Sequence, residues 1–458
     1  MIPAPSVALA LADTLLAGEA SPDGLAASAA SALGTAYAWG PAMCGFILQR
    51  TGDKFRYFSR HELAAIILDS DAFHAAFEPG KEAPQIKRYC LQLPVRPEPD
   101  AWLSALSLPA IPTLGELALL LNVELQDLGW FADQWRRGSA EAAPLQHYHY
   151  RWVAKRSGGW RLIEIPKQRL RRMQQTILRK ILEDVPVHGA AHGFRRGHSC
   201  VTHAALHAGQ RVVIRMDLKD FFPSIQASRI HALFSKLGYS DSVAGTLARL
   251  CTSRAPASAF ADPHTGGSLP WAARRALRSP HLPQGSPCSP ALANLCAWRL
   301  DLRLDALCGS IGATYSRYAD DLVFSGGREF ERSVERFHVQ VAAIAIEEAF
   351  GVNTRKTRVM RAGVRQQVTG VVINQHPNLR RDEFDRLKAV LTNCARHGPV
   401  AQNREGRENY WHYLAGKVAW VKMLNPARGA KLEKVFAGID WPEAGSGSVA
   451  APASESSS

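Results

Sequence analysis

Arg317-Tyr318-Ala319-Asp320-Asp321-Leu322-Val323-Phe324 is the stretch on which the reading of this chain turns. Two adjacent acids stand just before a short apolar run. That arrangement suits the turn of a β-hairpin followed by its second strand, Leu322–Phe324. Taken alone, adjacent Asp residues are ordinary turn chemistry. A second stretch gives them weight. Met216-Asp217-Leu218-Lys219-Asp220-Phe221-Phe222 places an acid directly after the apolar run Val212-Val213-Ile214-Arg215-Met216, which predicts another strand. Phosphoryl transfer to a hydroxyl uses two divalent ions, one activating the attacking oxygen and one holding the leaving pyrophosphate. Mg²⁺ takes oxygen ligands and few protein carboxylates. Asp217, Asp320 and Asp321 at two strand ends would meet that need.

Outward from these strands, residues 145–375 alternate between apolar runs and amphipathic stretches. Helices are predicted at Gln168–Glu183, Ala291–Leu307 and Glu331–Phe350, and a further strand at Val368–Ile373. The Pro-, Arg-, Ala- and Ser-rich stretch 252–281 reads as a long inserted loop. Residues 380–436 have a helical pattern, broken by a charged loop near 403–408. On the other side, Thr113-Leu114-Gly115-Glu116 has capping-box spacing and opens a helix, with a second short helix over 124–135. Residues 1–105 are Ala-rich and end in Leu93-Pro94-Val95-Arg96-Pro97-Glu98-Pro99, a boundary signal. From about Ala444 a small, polar tail follows and reads as disordered. The 458 residues suggest about three domains or subdomains.

A formal net charge of +14 favours a polyanionic partner, because Lys and Arg displace counterions from phosphates. The excess is local: between Arg151 and Lys180 there are ten Lys or Arg and one acid, Glu164. The eight cysteines form no CxxC pair and no zinc-ligand spacing, which suits a reducing cytoplasm. No signal peptide is evident. The uncharged stretch Gly24–Gln49 is too weakly apolar for a membrane span and reads as packed helix or loop. A cytoplasmic protein without a membrane partner is expected.

Tyr318-Ala319-Asp320-Asp321 resembles the YxDD box of reverse transcriptases. Met216 to Ile225 (MDLKDFFPSI) is similar to the first catalytic motif of the same palm domain, and Leu282 to Leu295 (LPQGSPCSPALANL) to the PQGxxxSP motif between them. All three stand in family order. The resemblance covers roughly residues 110 to 440 and implies an α+β right-hand polymerase fold of fingers, palm and helical thumb, preceded by a mostly helical N-terminal extension. The expected division is an N-terminal extension (1–105), helices and fingers (106–210), palm (211–375), thumb (376–442) and tail (443–458). It further implies an RNA-directed DNA polymerase with Asp217, Asp320 and Asp321 as carboxylates for two Mg²⁺ ions, Mn²⁺ being the alternative. Phe222 takes the position of the steric gate against a ribose 2′-hydroxyl, where a core aromatic is the other reading. Gln284 and Gly285 fall where the family contacts nucleotide and template. Lys155 to Pro166 (KRSGGWRLIEIP) looks like the fingers segment, a Gly-Gly turn between two strands, with Arg161 and Lys155 directed to the triphosphate. Lys356 matches the lysine proposed to protonate pyrophosphate as it leaves.

Other features resemble bacterial retron enzymes in particular. His192 to Ser199 (HGFRRGHS) is similar to the HGFxxGxS segment shared with group II intron enzymes. Where retron enzymes carry NAxxH, this chain has His203-Ala204-Ala205-Leu206-His207, with His203 in place of the Asn. Val368-Thr369-Gly370 matches the retron VTG motif. The resemblance places His203, His207, Val368, Thr369 and Gly370 in recognition of the cognate RNA. It implies a structured noncoding RNA as template and primer, a ribose 2′-hydroxyl as the starting point, dNTPs as substrates, an RNA–DNA hybrid as product, an antiphage setting and room for an effector protein. Seven thumb cations, among them Arg380, Arg381 and Lys422, could track a primer–template backbone. Trp411 and Trp420 suit either an RNA face or a core. A group II intron-like or other bacterial reverse transcriptase is the near alternative, and a catalytically inactive RNA-binding scaffold the distant one.

Overall fold

The computed structural model describes residues 3–441 except 53–54, 56–57, 59, 80, 82, 90–105, 134–145, 156–157, 263 and 266–267. The Pro-rich boundary at 93–99, the end of the predicted helix over 124–135 and the tail lie outside the described residues. Contacts divide the chain into two units. One holds residues up to Pro186 together with Phe222–Cys296; the other holds Val187–Phe221 and the chain from Ala297.

In the first unit, β1 (Tyr148–Ala154) pairs antiparallel with β2 (Trp160–Pro166), Val153 opposite Arg161. Gly158 and Gly159 turn the chain at φ 87° and 79°, a region that side chains with a Cβ avoid. Strand alternation then sorts β2: Leu162 and Glu164 are buried, Arg161 and Ile165 exposed. The buried Glu164 is paired, since His281 Nε2 lies 2.8 Å from its carboxylate with both side chains inaccessible. Burial pushes the His281 ring toward neutrality, but the charge and hydrogen bond of Glu164 outweigh it and leave its pKa raised.

The capping box at Thr113 forms and starts the helix Leu114–Leu121; the second short helix covers Leu125–Phe131. The helix predicted over 168–183 is α-helical at Gln168–Ile177 and continues as a π-helical turn, Leu178–Leu182. The stretch 252–281 differs from the expected loop. It contains a 3₁₀ turn, Ala257–Phe260, and the helix Trp271–Arg278. Ala, Arg and Leu are strong helix formers, and Leu277 turns inward to pack with Leu162 and Ala255. The predicted helix Ala291–Leu307 is two helices, Ser289–Cys296 and Trp298–Ser310. Arg229 Nη2 takes the Cys296 carbonyl at 2.5 Å, an oxygen that an unbroken helix would use internally. Ahead of all these, Ala4–Ala17, Pro22–Leu33, Gly40–Thr51 and Arg60–Leu68 surround a core of their own, centred on Leu11, Leu15, Met43 and Ile67. The uncharged stretch 24–49 supplies two of those helices.

The second unit is built on one antiparallel sheet. β3 (Val212–Lys219) lies centrally, with β4 (Thr314–Tyr318) and β5 (Asp321–Gly326) on one side; β6 (Gly351–Val352) and β7 (Arg358–Arg361) share its other edge. Phe324 meets Phe337 of the helix Arg328–Glu347 at 5.0 Å between ring centroids. On the other face Val213 and Val323 join Ala204, Val368, Val371 and Leu424. The predicted strand 368–373 is instead a tight hairpin, β8 (Gln367–Val368) and β9 (Val371–Val372). Thr369 and Gly370 both take positive φ, 46° and 87°, the backbone that two-residue hairpin turns require. Three helices follow, Arg381–His397, Tyr410–Leu424 and Pro426–Ala437, around Leu391, Cys394, Leu414 and Val418. Trp420 packs at the edge of the Val213 cluster, and Trp411 lies 5.7 Å from the Phe436 ring, so both indoles are half-buried. Arg380, Arg381 and Lys422 are engaged with Asp382, Asp385 and Glu433. No helix among the described residues is long and apolar enough to cross a membrane.

The Glu164–His281 pair carries a pH signature. A His pKa raised by folding stabilises fully below the unfolded value, about 6.5, and that contribution is lost as pH rises through the folded value. Removing one partner of a buried pair costs about 3–5 kcal/mol. Glu164→Gln should therefore lower the melting temperature by several degrees at pH 6 and by clearly less at pH 9. Equal losses at both pH values in thermal melts would contradict the pairing.

Candidate active site

Asp217 in β3 stands directly opposite Asp321 in β5, so their side chains leave the same face of the sheet. Tyr318 pairs with Asp321, which makes Ala319-Asp320 a two-residue turn. Ala319 takes φ 57°, a left-handed conformation disfavoured for a residue with a Cβ. The surroundings hold it there. Arg317 Nη1 donates to Ala319 O at 3.1 Å, and Leu218 N donates to Asp320 O at 2.8 Å. Gly193 presses from outside the sheet: a Cβ on it would lie 2.6 Å from Ala319 N. His192 N donates to Arg317 O and Arg317 N to Ala190 O, each at 2.8 Å.

The guanidinium of Arg317 is fully buried. Its Nε and Nη2 donate to Asp301 at 2.7 and 2.6 Å, and Tyr315 Oη donates to the same carboxylate at 2.8 Å. Burial works against the arginine's charge, but Asp301 outweighs it and raises the pKa. Arg317 is therefore a fixed cation that anchors the turn.

Lys356 Nζ lies 3.0 and 3.1 Å from the two oxygens of Asp217. Asn353 N donates to Asp217 O at 2.7 Å, and its side chain approaches the carboxylate at 3.4 Å. Arg215, two residues before Asp217 on the same face, donates to both oxygens of Asp321 at 2.7 Å. Asp320 has no ion-pair partner among the described residues. Burial, then the charges of Asp321 and Asp217, raise its pKa. Burial also raises Asp321, against the opposing pull of Arg215.

Carboxylate oxygens are the donors a hard divalent cation selects, so the donor set fits such an ion. In this conformation Lys356 and Arg215 engage two of the three acids. No three His, Cys, Asp or Glu among the described residues converge into a metal cage. Lys356 engages both oxygens of Asp217, so a cation binding that carboxylate would compete with the ammonium.

The residues expected at the nucleotide lie in the first unit. Arg161 is exposed on β2, and Lys155 N donates to Gly159 O across the turn at 2.9 Å. Gln284 O accepts from Glu164 N at 3.0 Å. Gly285 has φ 140°, and a Cβ there would lie 2.6 Å from Glu164 O. The close approach that needs this glycine is thus to the protein's own strand. Phe222 is half-buried, whereas its neighbour Phe221 is core.

His203 and His207, expected in RNA recognition, are fully buried in this fold. His207 instead bridges two strands, its ring nitrogens 2.7 Å from Ser325 Oγ on β5 and Ser316 Oγ on β4. Burial, then the neighbouring His203, lowers its pKa to about 3. Burial and His192 likewise bring His203 to about 3. Val368 is core, Thr369 Oγ1 donates to Cys200 O at 3.1 Å, and Gly370 is exposed at the hairpin tip.

The reverse transcriptase (RNA-dependent DNA polymerase) family matches residues 153–390. The retron Mx65 reverse transcriptase of Myxococcus xanthus is 40% identical over 338 residues, 73% of this chain and 74% of that one. The chain belongs to the retron reverse transcriptases. The retron Mx162 reverse transcriptase of the same organism is 38% identical over 68% of this chain and 64% of its own length. The retron Ec86 reverse transcriptase of Escherichia coli is 30% identical over 50% and 64%. A telomerase structure from Candida albicans aligns at a TM-score of 0.36 and 9% identity over 63% of this chain and 56% of that one, too distant to bear on function.

This reverse transcriptase is an RNA-directed DNA polymerase with an α+β right-hand fold and a mostly helical N-terminal segment. Its family generally uses divalent metal ions, and it works with an RNA template. Sequence reasoning missed Arg215, Asp301, Arg317 and Asn353. Arg215 was within reach, since strand alternation sets residues 215 and 217 on one face. Asp301 lies in no motif, and only the fold brings it to Arg317.

Gly193→Ala must push the Ala319 turn away. A displacement of about 1 Å at reacting groups costs on the order of 100-fold in rate. Steady-state primer extension should show that loss in kcat with RNA affinity retained. An unchanged kcat would remove Gly193 from the support of the turn.

Proposed function

We propose that this enzyme synthesises single-stranded DNA on a structured noncoding RNA that it binds, starting from a ribose 2′-hydroxyl of that RNA. The catalytic part of the reading is carried by one observation: Asp217 and Asp321 stand in cross-strand register, and Asp320 precedes Asp321 in the β4–β5 turn. Two Mg²⁺ or Mn²⁺ ions at these carboxylates would activate the attacking hydroxyl and hold the pyrophosphate. Lys356, 3.0 Å from Asp217, balances the charge of that acid, and once displaced it is placed to give a proton to the departing pyrophosphate. Arg215 keeps Asp321 oriented, which makes Asp321 the weaker metal ligand of the three.

In this reading Arg161 and Lys155 hold the triphosphate, with Gln284 and Gly285 lining the nucleotide and template. Phe222 crowds a 2′-hydroxyl. Residues 211–375 serve as palm and 376–442 as thumb, whose cations follow the RNA–DNA hybrid. The hairpin carrying Val368, Thr369 and Gly370 recognises the cognate RNA at its exposed tip, with His203 and His207 supporting the strands behind it. A cytoplasmic antiphage role with an effector protein completes the proposal and rests on the resemblance to retron enzymes.

Asp320→Asn should abolish DNA synthesis on an RNA template with a DNA primer while leaving RNA binding nearly intact, because it removes a metal ligand and no phosphate contact. Parallel loss of both activities would argue against that assignment. Phe222→Ala should raise ribonucleotide incorporation relative to deoxynucleotide in single-nucleotide extension. An unchanged ratio would return Phe222 to a packing role.

A further inference from the structure

The helix Trp271–Arg278 presents Trp271, Arg274, Arg275 and Arg278 at i, i+3, i+4 and i+7, which is one helical face. Like charges at i,i+4 on a helix destabilise it, where an acid at that spacing would stabilise it. Here none of the three arginines has a carboxylate partner among the described residues. The acid of this segment, Asp262, is occupied by His264 N and Thr265 Oγ1, each at 2.9 Å. Trp271 is 68% exposed, and the Arg275 guanidinium lies 5.2 Å from its ring centroid. With Phe260 these side chains line a cleft of about 580 Å³.

The cleft has a firm base. Leu277 packs with Leu162 and Ala255, Trp152 Nε1 donates to Ala259 O at 2.8 Å, and Tyr150 Oη donates to Arg254 O at 3.3 Å. The segment therefore covers the face of the β1–β2 hairpin opposite to Arg161. We infer that this cleft is a second RNA-binding site, which holds a single-stranded stretch by stacking a base on Trp271 and taking phosphates on Arg274 and Arg278. Unneutralised arginines beside an exposed indole supply both halves of single-strand recognition, charge for the backbone and a π-face for a base. A duplex keeps its bases stacked on one another and gains only the charge. The inference rests on the reading that this chain binds RNA, and it adds a place for RNA away from the hairpin face that carries Arg161.

The test is fluorescence anisotropy on the full chain in EDTA without dNTPs, using a labelled oligouridylate and a blunt RNA duplex of equal length. Trp271→Ala should weaken oligouridylate binding about tenfold and duplex binding little, with recovery in Trp271→Phe. Arg274→Ala with Arg278→Ala should reduce the slope of log affinity against log salt by about 1.4. Circular dichroism melts confirm that each variant is folded. Folded variants with unchanged affinity and salt slope would overturn the site and point to an acidic protein as its occupant. Equal weakening of both probes by Trp271→Ala would overturn the stacking. Neither readout depends on catalysis, so failure here is distinct from failure of Asp320-dependent synthesis.

Discussion

Two carboxylates held opposite each other on neighbouring strands repel, and two cations of the second unit answer that repulsion. Asp217 and Asp321 occupy paired positions, with Asp320 one residue away. Each of the pair meets a cation that comes from the same sheet or its edge: Arg215 from β3 itself and Lys356 from the turn before β7. The two cations differ in kind. A guanidinium bound through two nitrogens is geometrically committed, whereas an ammonium on a half-exposed flexible stem can leave. The arrangement thus separates an acid held by two nitrogens of a guanidinium from one held by a single half-exposed ammonium.

The turn that carries Asp320 needs a second set of supports. A left-handed Ala319 persists only where its neighbours over-determine it. Arg317 grips the Ala319 carbonyl from within while Asp301 and Tyr315 hold Arg317, and Gly193 leaves no space on the outside. His207 ties the strands behind the turn through two serines. The HGF segment and the His203–His207 segment thereby gain a common physical meaning. Both brace the hairpin that carries the acids.

Strands β3 and β5 and the acids were legible because their information is local: an apolar run ending in an acid, and two acids at a turn. The Gly158-Gly159 hairpin and the Thr113 cap were legible for the same reason. Non-local partners were not. Asp301 and Arg317 are sixteen residues apart with a strand boundary between them, and neither has a pattern of its own. Val368–Ile373 misled because its apolar content suits one strand, while the positive φ of Thr369 is invisible without a partner strand. The loop expected at 252–281 concealed a helix whose Ala and Arg content favours helix, because flanking Pro and Ser dominated the reading.

The contact between Gln284-Gly285 and Glu164 bears on how this enzyme can change over evolution. The Gln284 carbonyl is hydrogen-bonded to β2, and Gly285 lies against the same residue with no space for a side chain. Loop and hairpin therefore move as one piece, and Glu164 is in turn fixed by His281 just upstream of the loop. Neither segment is a separable module. A chimera that imports the hairpin of a relative without its PQG loop breaks a backbone fit rather than exchanging a surface, so the two are inherited as a unit.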